Sequence, residues 1–161
     1  MSKLPIRALV FLILVISLWS CKSTKVNSSN NNDIVFCTLE RTPCFGRCPV
    51  YSIKIYESGL LLYKGQRNVQ DTFCHSRQIS KSELTSLKSA FAEVDFMAMK
   101  SSYPFEERAP VDLPSCIIFF KSNNQEKTVT DHHWKSPENL AFLERKIDSL
   151  ANPKFLQFWD K

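Results

Sequence analysis

Val50-Tyr51-Ser52-Ile53-Lys54-Ile55-Tyr56-Glu57-Ser58-Gly59-Leu60-Leu61-Leu62-Tyr63 decides the fold. Tyr51, Ile53 and Ile55 alternate with Ser52 and Lys54, and Val50 and Tyr56 stand at the ends. That period of two marks a strand with one buried face. Glu57-Ser58-Gly59 is a turn, with Gly59 free to take positive φ, and Leu60 to Tyr63 returns as the partner strand. A tight turn between two alternating runs makes an antiparallel pair.

Outward from this hairpin, Ile34 to Leu39 reads as an earlier strand and Val69 to Ile79 contains a fourth. Gly65 marks a second turn or bulge. Ser80-Lys81-Ser82-Glu83 fits a capping box, and Leu84, Leu87, Phe91 and Val94 continue at helical spacing. Phe96 to Pro114 is irregular, broken by Pro104, Pro110 and Pro114. Cys116 to Phe120 is continuously apolar and is expected to be a central strand covered on both faces. Ser122 to Gln125 turns the chain, and Lys127 to Asp131 returns. Ser136-Pro137 reads as an N-cap and an N1 proline before a helix whose stripe is Leu140, Leu143, Ile147 and Leu150. The order β-β-β-β-α-β-β-α implies an α+β domain, a mainly antiparallel sheet with two helices on one face. Phe155, Leu156, Phe158 and Trp159 are expected to dock on that core.

The N-terminus reads as an address. Lys3 and Arg7 precede an apolar run of 12 residues, Ala8 to Trp19. That is signal-peptide length, short of the roughly 20 residues that span a bilayer. Leu18-Trp19-Ser20-Cys21 resembles the lipobox of bacterial lipoproteins, which implies acylation of Cys21. Lys22 after the cysteine, by resemblance to sorting patterns, implies the outer membrane of a Gram-negative cell envelope. The expected organisation is a removed signal peptide at 1–20, a polar tether at 21–33 and a globular domain at 34–161.

The chain has 161 residues, 43% hydrophobic, enough for one domain with a real core. The net charge is +5, and Lys3 and Arg7 supply two of those charges. With no dense basic run and no zinc-finger or RNP-like pattern, no nucleic-acid partner is expected. No nucleophile motif appears, and three dispersed glycines leave no phosphate loop.

The densest chemistry lies just before the hairpin, in Arg41-Thr42-Pro43-Cys44-Phe45-Gly46-Arg47-Cys48-Pro49-Val50-Tyr51. Together with Ile53-Lys54-Ile55 and Gly59, it looks like the signature of a bacterial domain-of-unknown-function family, number 6438. The resemblance extends from about Thr38 to the second helix, with Cys-Phe-Gly-x-Cys-Pro its specific part. Members of that family often carry signal peptides or are lipoproteins. The family has no established activity, so the resemblance implies a domain and no reaction.

Of six cysteines, setting Cys21 aside leaves an odd number, so at least one thiol stays free or pairs between molecules. Cys116 is the best candidate for a buried thiol, and the pairing of Cys37 and Cys74 stays open. Cys44 and Cys48 admit three readings. In an oxidising compartment the first is a local disulfide that stiffens the loop, with Gly46 turning it tightly. The second is thiol-disulfide catalysis, although catalytic pairs usually have two intervening residues at a helix N-terminus. The third is zinc, with His132 and His133 completing the ligands, although adjacent histidines diverge and suit a solvated loop. The disulfide reading leads, with no cofactor and no metal. Arg41 and Arg47 would rim the loop as anion binders, or one would pair with an acid such as Asp112 or Asp131. The expected function is a non-enzymatic binding domain using Arg41, Phe45, Gly46, Arg47 and Tyr51, for an unknown protein or envelope ligand.

Overall fold

A computed structural model describes residues 33–105, 108 and 110–151. The expected signal peptide, Cys21 and the aromatic tail from Phe155 lie outside these residues. The hairpin read from Val50 to Tyr63 is present as β2 (Val50–Tyr56) and β3 (Leu60–Arg67), with Gly59 at φ 81° in the turn. β1 (Val35–Arg41) precedes it and β4 (Cys74–Gln78) follows. Helix α1 (Lys81–Glu93) begins with the expected capping box. The Glu83 amide donates to Ser80 Oγ, and the Ser80 amide donates back to the Glu83 carboxylate.

The stretch from Phe96 to Pro114 holds more structure than its prolines suggest. A 3-10 turn spans Phe96–Ala98, and β5 (Ser102–Tyr103) adds a two-residue strand. β6 (Cys116–Ser122), β7 (Gln125–Asp131) and α2 (Glu138–Ala151) complete the described residues. Ser136 does not cap α2: its hydroxyl donates to Asp131 Oδ1, and the Pro137 carbonyl accepts from the Ala141 amide.

All seven strands form one sheet in the order β4-β3-β2-β1-β6-β7-β5. Every pairing is antiparallel except β5 with β7. The domain is therefore α+β, with the expected order of strands and helices. Cys37, Leu39, Tyr51, Ile53, Ile55, Leu61, Ile118 and Val129 are buried on the helix-covered face. Leu87 and Phe91 of α1 and the full α2 stripe join the same core. Phe91 stacks on Phe120 at 4.1 Å, and Phe36 meets both rings edge-on. Each such aromatic pair contributes about 0.5–1.5 kcal/mol beyond area burial.

β6 departs from the reading of its apolar run. Cys116, Ile118 and Phe120 are buried, but Ile117 and Phe119 are half-exposed. Among the described residues only one face of this central strand is covered, because both helices lie on the same side. Gly65 sits within β3 beside the register shift at Val50/Tyr51. A Cβ there would come within 1.9 Å of the Asp71 carbonyl, so the close approach of loop 68–73 requires glycine.

Candidate functional site

The end of the sheet where β1 ends and β2 begins carries the loop singled out in the sequence. Cys44 and Cys48 are joined, with Cα atoms 5.7 Å apart. Their sulfurs are thus unavailable as the thiolate pair that a zinc site with His132 and His133 would need. The disulfide lies on a loop between two strands and does not open a helix, the position that usually activates a catalytic thiol. The loop is tied down on both flanks. The Thr42 amide donates to the Ser115 carbonyl at 2.9 Å, and the Ser115 amide donates to Thr42 Oγ1 at 2.8 Å. Asn68 Nδ2 donates to the Cys48 carbonyl at 3.0 Å. Between these anchors Phe45 is 96% exposed, and Gly46 and Arg47 are exposed beside it. Gly46 is not required for the turn, since an added Cβ would meet only Cys44 Sγ at 3.8 Å.

Arg41 and Tyr51 do not belong to that exposed rim. Both are buried, Arg41 with 3% of its surface accessible, and they face the helices. Alternation explains this: Cys37, Leu39 and Arg41 share one face of β1, as Tyr51, Ile53 and Ile55 share one face of β2. Arg41 pairs neither with Asp112 nor with Asp131. Its Nη1 donates to Glu144 Oε2 at 2.8 Å and its Nη2 to Asp148 Oδ2 at 2.6 Å. Tyr51 Oη donates to Asp148 Oδ1 at 2.8 Å. Glu144 and Asp148 are four residues apart on α2, one turn along the stripe of Leu140, so the helix aims both at the sheet.

The strand registers extend this cluster into a row. Tyr51 pairs with Arg41, Arg41 with Cys116, Cys116 with Asp131 and Asp131 with Tyr103. The row thus crosses β2, β1, β6, β7 and β5 beneath α2. His133, just past β7, closes the cluster with Nε2 3.0 Å from Arg41 Nη1. The guanidinium can only donate, so Nε2 accepts and the imidazole is neutral there. His132 turns elsewhere, its Nδ1 2.8 Å from Ser115 Oγ. Both histidines are half-buried and engaged, rather than part of a solvated loop. His133 holds φ at 52° and its amide donates to Asp131 Oδ1 at 2.8 Å.

Burial governs the electrostatics. It pulls the Arg41 pKa down, but the neighbouring Cys116, Asp148 and Glu144 outweigh it and keep the guanidinium charged. Burial and then Asp148 push the Tyr51 phenol far above its ordinary value, so it remains a donor. Glu144 is pushed up to about 7, first by burial and then by Asp131 and Asp148, against the pull of Arg41. His133 is held below its ordinary value by burial and by the Arg41 charge. Burial raises the Cys37 and Cys116 thiols, which are free and inert as nucleophiles. Among the described residues Cys74 is the exposed free thiol, on the outer strand β4.

Residues 35–151, from β1 through the end of α2, match the model of a family described as Domain of unknown function (DUF6438). The chain is a member of the DUF6438 family. No curated protein matches it. Within this DUF6438 domain the disulfide loop was legible in the sequence and the buried cluster was not. The signal for the cluster was present in two places. Arg41 continues the parity of Cys37 and Leu39, and Glu144 and Asp148 interrupt an apolar helix stripe at i and i+4. No helix among the described residues is long and apolar enough to cross a membrane.

Proposed function

We propose that this DUF6438 domain is a non-enzymatic recognition module of the cell envelope, and that its Cys44–Cys48 loop contacts a protein or envelope ligand. In this reading Cys21 is acylated, residues 21–33 are the tether, and the domain stands at the outer membrane. The observation that carries the binding role is the placement of exposed apolar side chains. Phe45, Phe73, Val111 and Trp134 are four of the seven large hydrophobics exposed among the described residues. All four sit on loops at the same end of the sheet. Phe45 lies between β1 and β2, Phe73 before β4, Val111 before β6 and Trp134 after β7. The antiparallel registers bring those strand ends together. The Phe45 amide reaches the Asp112 carbonyl at 3.4 Å, which ties two of these loops directly. Exposed apolar side chains at one end of the sheet favour recognition, and the anchored Phe45 loop would lose little ordering entropy on binding.

A soluble Cys21→Ser protein incubated with outer-membrane vesicles tests the reading by co-sedimentation. Phe45→Ala combined with Arg47→Ala is expected to lower retention at least tenfold while leaving thermal stability unchanged. Equal retention of the two proteins overturns the role of the loop. Catalysed reduction of insulin, lost on Cys44→Ser, would replace recognition with thiol-disulfide chemistry. Intact-mass measurement of envelope-derived protein tests the acyl chains on Cys21.

A further inference from the structure

We propose that Asp131, His133 and Glu144 form a binding site for a divalent transition-metal ion, with Arg41 and Asp148 as its charged surround. One ligand atom from each of the three side chains lies within 4.8 Å of the other two. They come from separate parts of the chain, the end of β7 and the middle of α2, so the fold itself assembles them.

Two buried oxygens are open to a cation. Asp131 and Glu144 are 1% and 3% exposed. Asp131 Oδ1 is fully occupied, accepting from the His133 amide and the Ser136 hydroxyl. Asp131 Oδ2 is buried and accepts no hydrogen bond among the described residues, and Glu144 Oε1 meets no N–H or O–H donor there, with the weak donor of the Cys116 thiol beside that carboxylate. A buried acceptor left in that condition costs about 1–3 kcal/mol, and more when charged. A cation answers both oxygens at once.

Charge leads to the same place. Asp131, Glu144 and Asp148 are three buried carboxylates around one buried guanidinium, that of Arg41. His133 accepts from Arg41 and adds no positive charge. Ionised, the cluster is two charges negative, and a dication balances it. Buried charge without compensation is among the most costly arrangements in a protein interior. Arg41 repels the ion and weakens its binding, but the carboxylates outnumber it. One imidazole and two carboxylates suit zinc, manganese or ferrous iron, in preference to the all-oxygen shells of calcium and magnesium.

Ligand atoms about 2.1 Å from a tetrahedral ion stand about 3.4 Å apart, so the triad must contract on loading. The member outside the regular elements is His133, partly exposed and beyond the last residue of β7. If Nε2 takes the ion, it leaves the 3.0 Å contact with Arg41, which keeps Glu144 and Asp148.

The test uses the full chain carrying Cys21→Ser and Cys74→Ser, so that no exposed thiol captures the probe. After chelation and dialysis, zinc chloride is titrated by calorimetry and thermal denaturation is followed with and without zinc. One equivalent of zinc is expected to bind and raise Tm, with calcium chloride inert. His133→Ala, at a half-exposed position, is expected to fold and to lose binding at least tenfold. Asp131→Asn is expected to do the same, and if it does not fold, the two proteins differing at residue 133 still decide. Failure of the folded parent to bind zinc overturns the proposal, as does undiminished binding by His133→Ala. An anomalous scattering peak beside His133 in zinc-soaked crystals is the structural readout, and a peak elsewhere overturns the assignment.

Discussion

Arg41 shows how far a single side chain's role depends on strand parity. Thr42, one residue on, faces the loop and clamps Ser115, while Arg41 points into the core and holds two carboxylates of α2. Replacing Arg41 by Met removes the cation and leaves Glu144 and Asp148 buried without it. Such a truncation costs about 3–5 kcal/mol. Urea denaturation at pH 7 is expected to show a loss of that size, against about 1.5–3 kcal/mol for Tyr51→Phe, which removes the phenol's hydrogen bond to the Asp148 carboxylate. At this scale the sequence was only half legible. Cys44 and Cys48 advertised their bond by proximity and residue type. Arg41 and Tyr51 looked like loop residues because they sit in the same eleven-residue stretch. The spacing of Cys37, Leu39 and Arg41 places the last of them inward, but an arginine on a buried face finds its reason only in Glu144 and Asp148, more than a hundred residues away. No local pattern supplies that partner.

Among the elements, those with strong local codes are the ones the sequence described best. The β2–β3 hairpin follows from alternation and Gly59, and α1 from its capping box. β5 had no such code, since two residues between prolines and serines join the sheet only because β7 offers a free edge. The apolar run of β6 identified a strand but not its surroundings, because a run of five apolar residues reads alike under one covering layer or two. The disulfide loop is an element in its own right, and its closure predicts a measurable effect. A ring of this size removes about 2 kcal/mol of unfolded-state entropy. Cys44→Ser with Cys48→Ser is expected to lower the free energy of unfolding by about that much. Amide exchange should accelerate between residues 43 and 49 while β1 and β2 stay protected. Faster exchange throughout both strands would show instead that the ring holds the sheet together.

For the molecule as a whole, the buried cluster makes stability depend on pH in a window that ordinary carboxylates do not reach. In metal-free protein Glu144 faces Arg41 from β1, Cys116 from β6, Asp131 from β7, His133 from the loop after it and Asp148 from its own helix. Its pKa is raised to about 7 in the fold from an ordinary 4.5. The folded state therefore holds the proton more tightly, and that contribution is complete below pH 4.5 and lost as pH rises through 7. His133 acts in the opposite sense, since its value is lowered and it gives up a proton on folding below its ordinary 6.5. The two effects offset each other at lower pH. Above pH 6.5 Glu144 dominates the pair, and stability is expected to fall by about 1 kcal/mol by pH 8. Chelator-treated protein unfolded in urea at a series of pH values measures this slope, which Glu144→Gln should flatten.

Cys74 has a practical meaning beyond its place on the outer strand. An accessible thiol invites two copies of the chain to cross-link in air, so a preparation made without reductant accumulates covalent dimers. The same reductant that keeps Cys74 single also attacks the bond between Cys44 and Cys48. Reductant strong enough to keep Cys74 single therefore puts the closed loop at risk. Cys74→Ser removes that conflict, and it makes the oxidation state of the loop a variable that can be set alone.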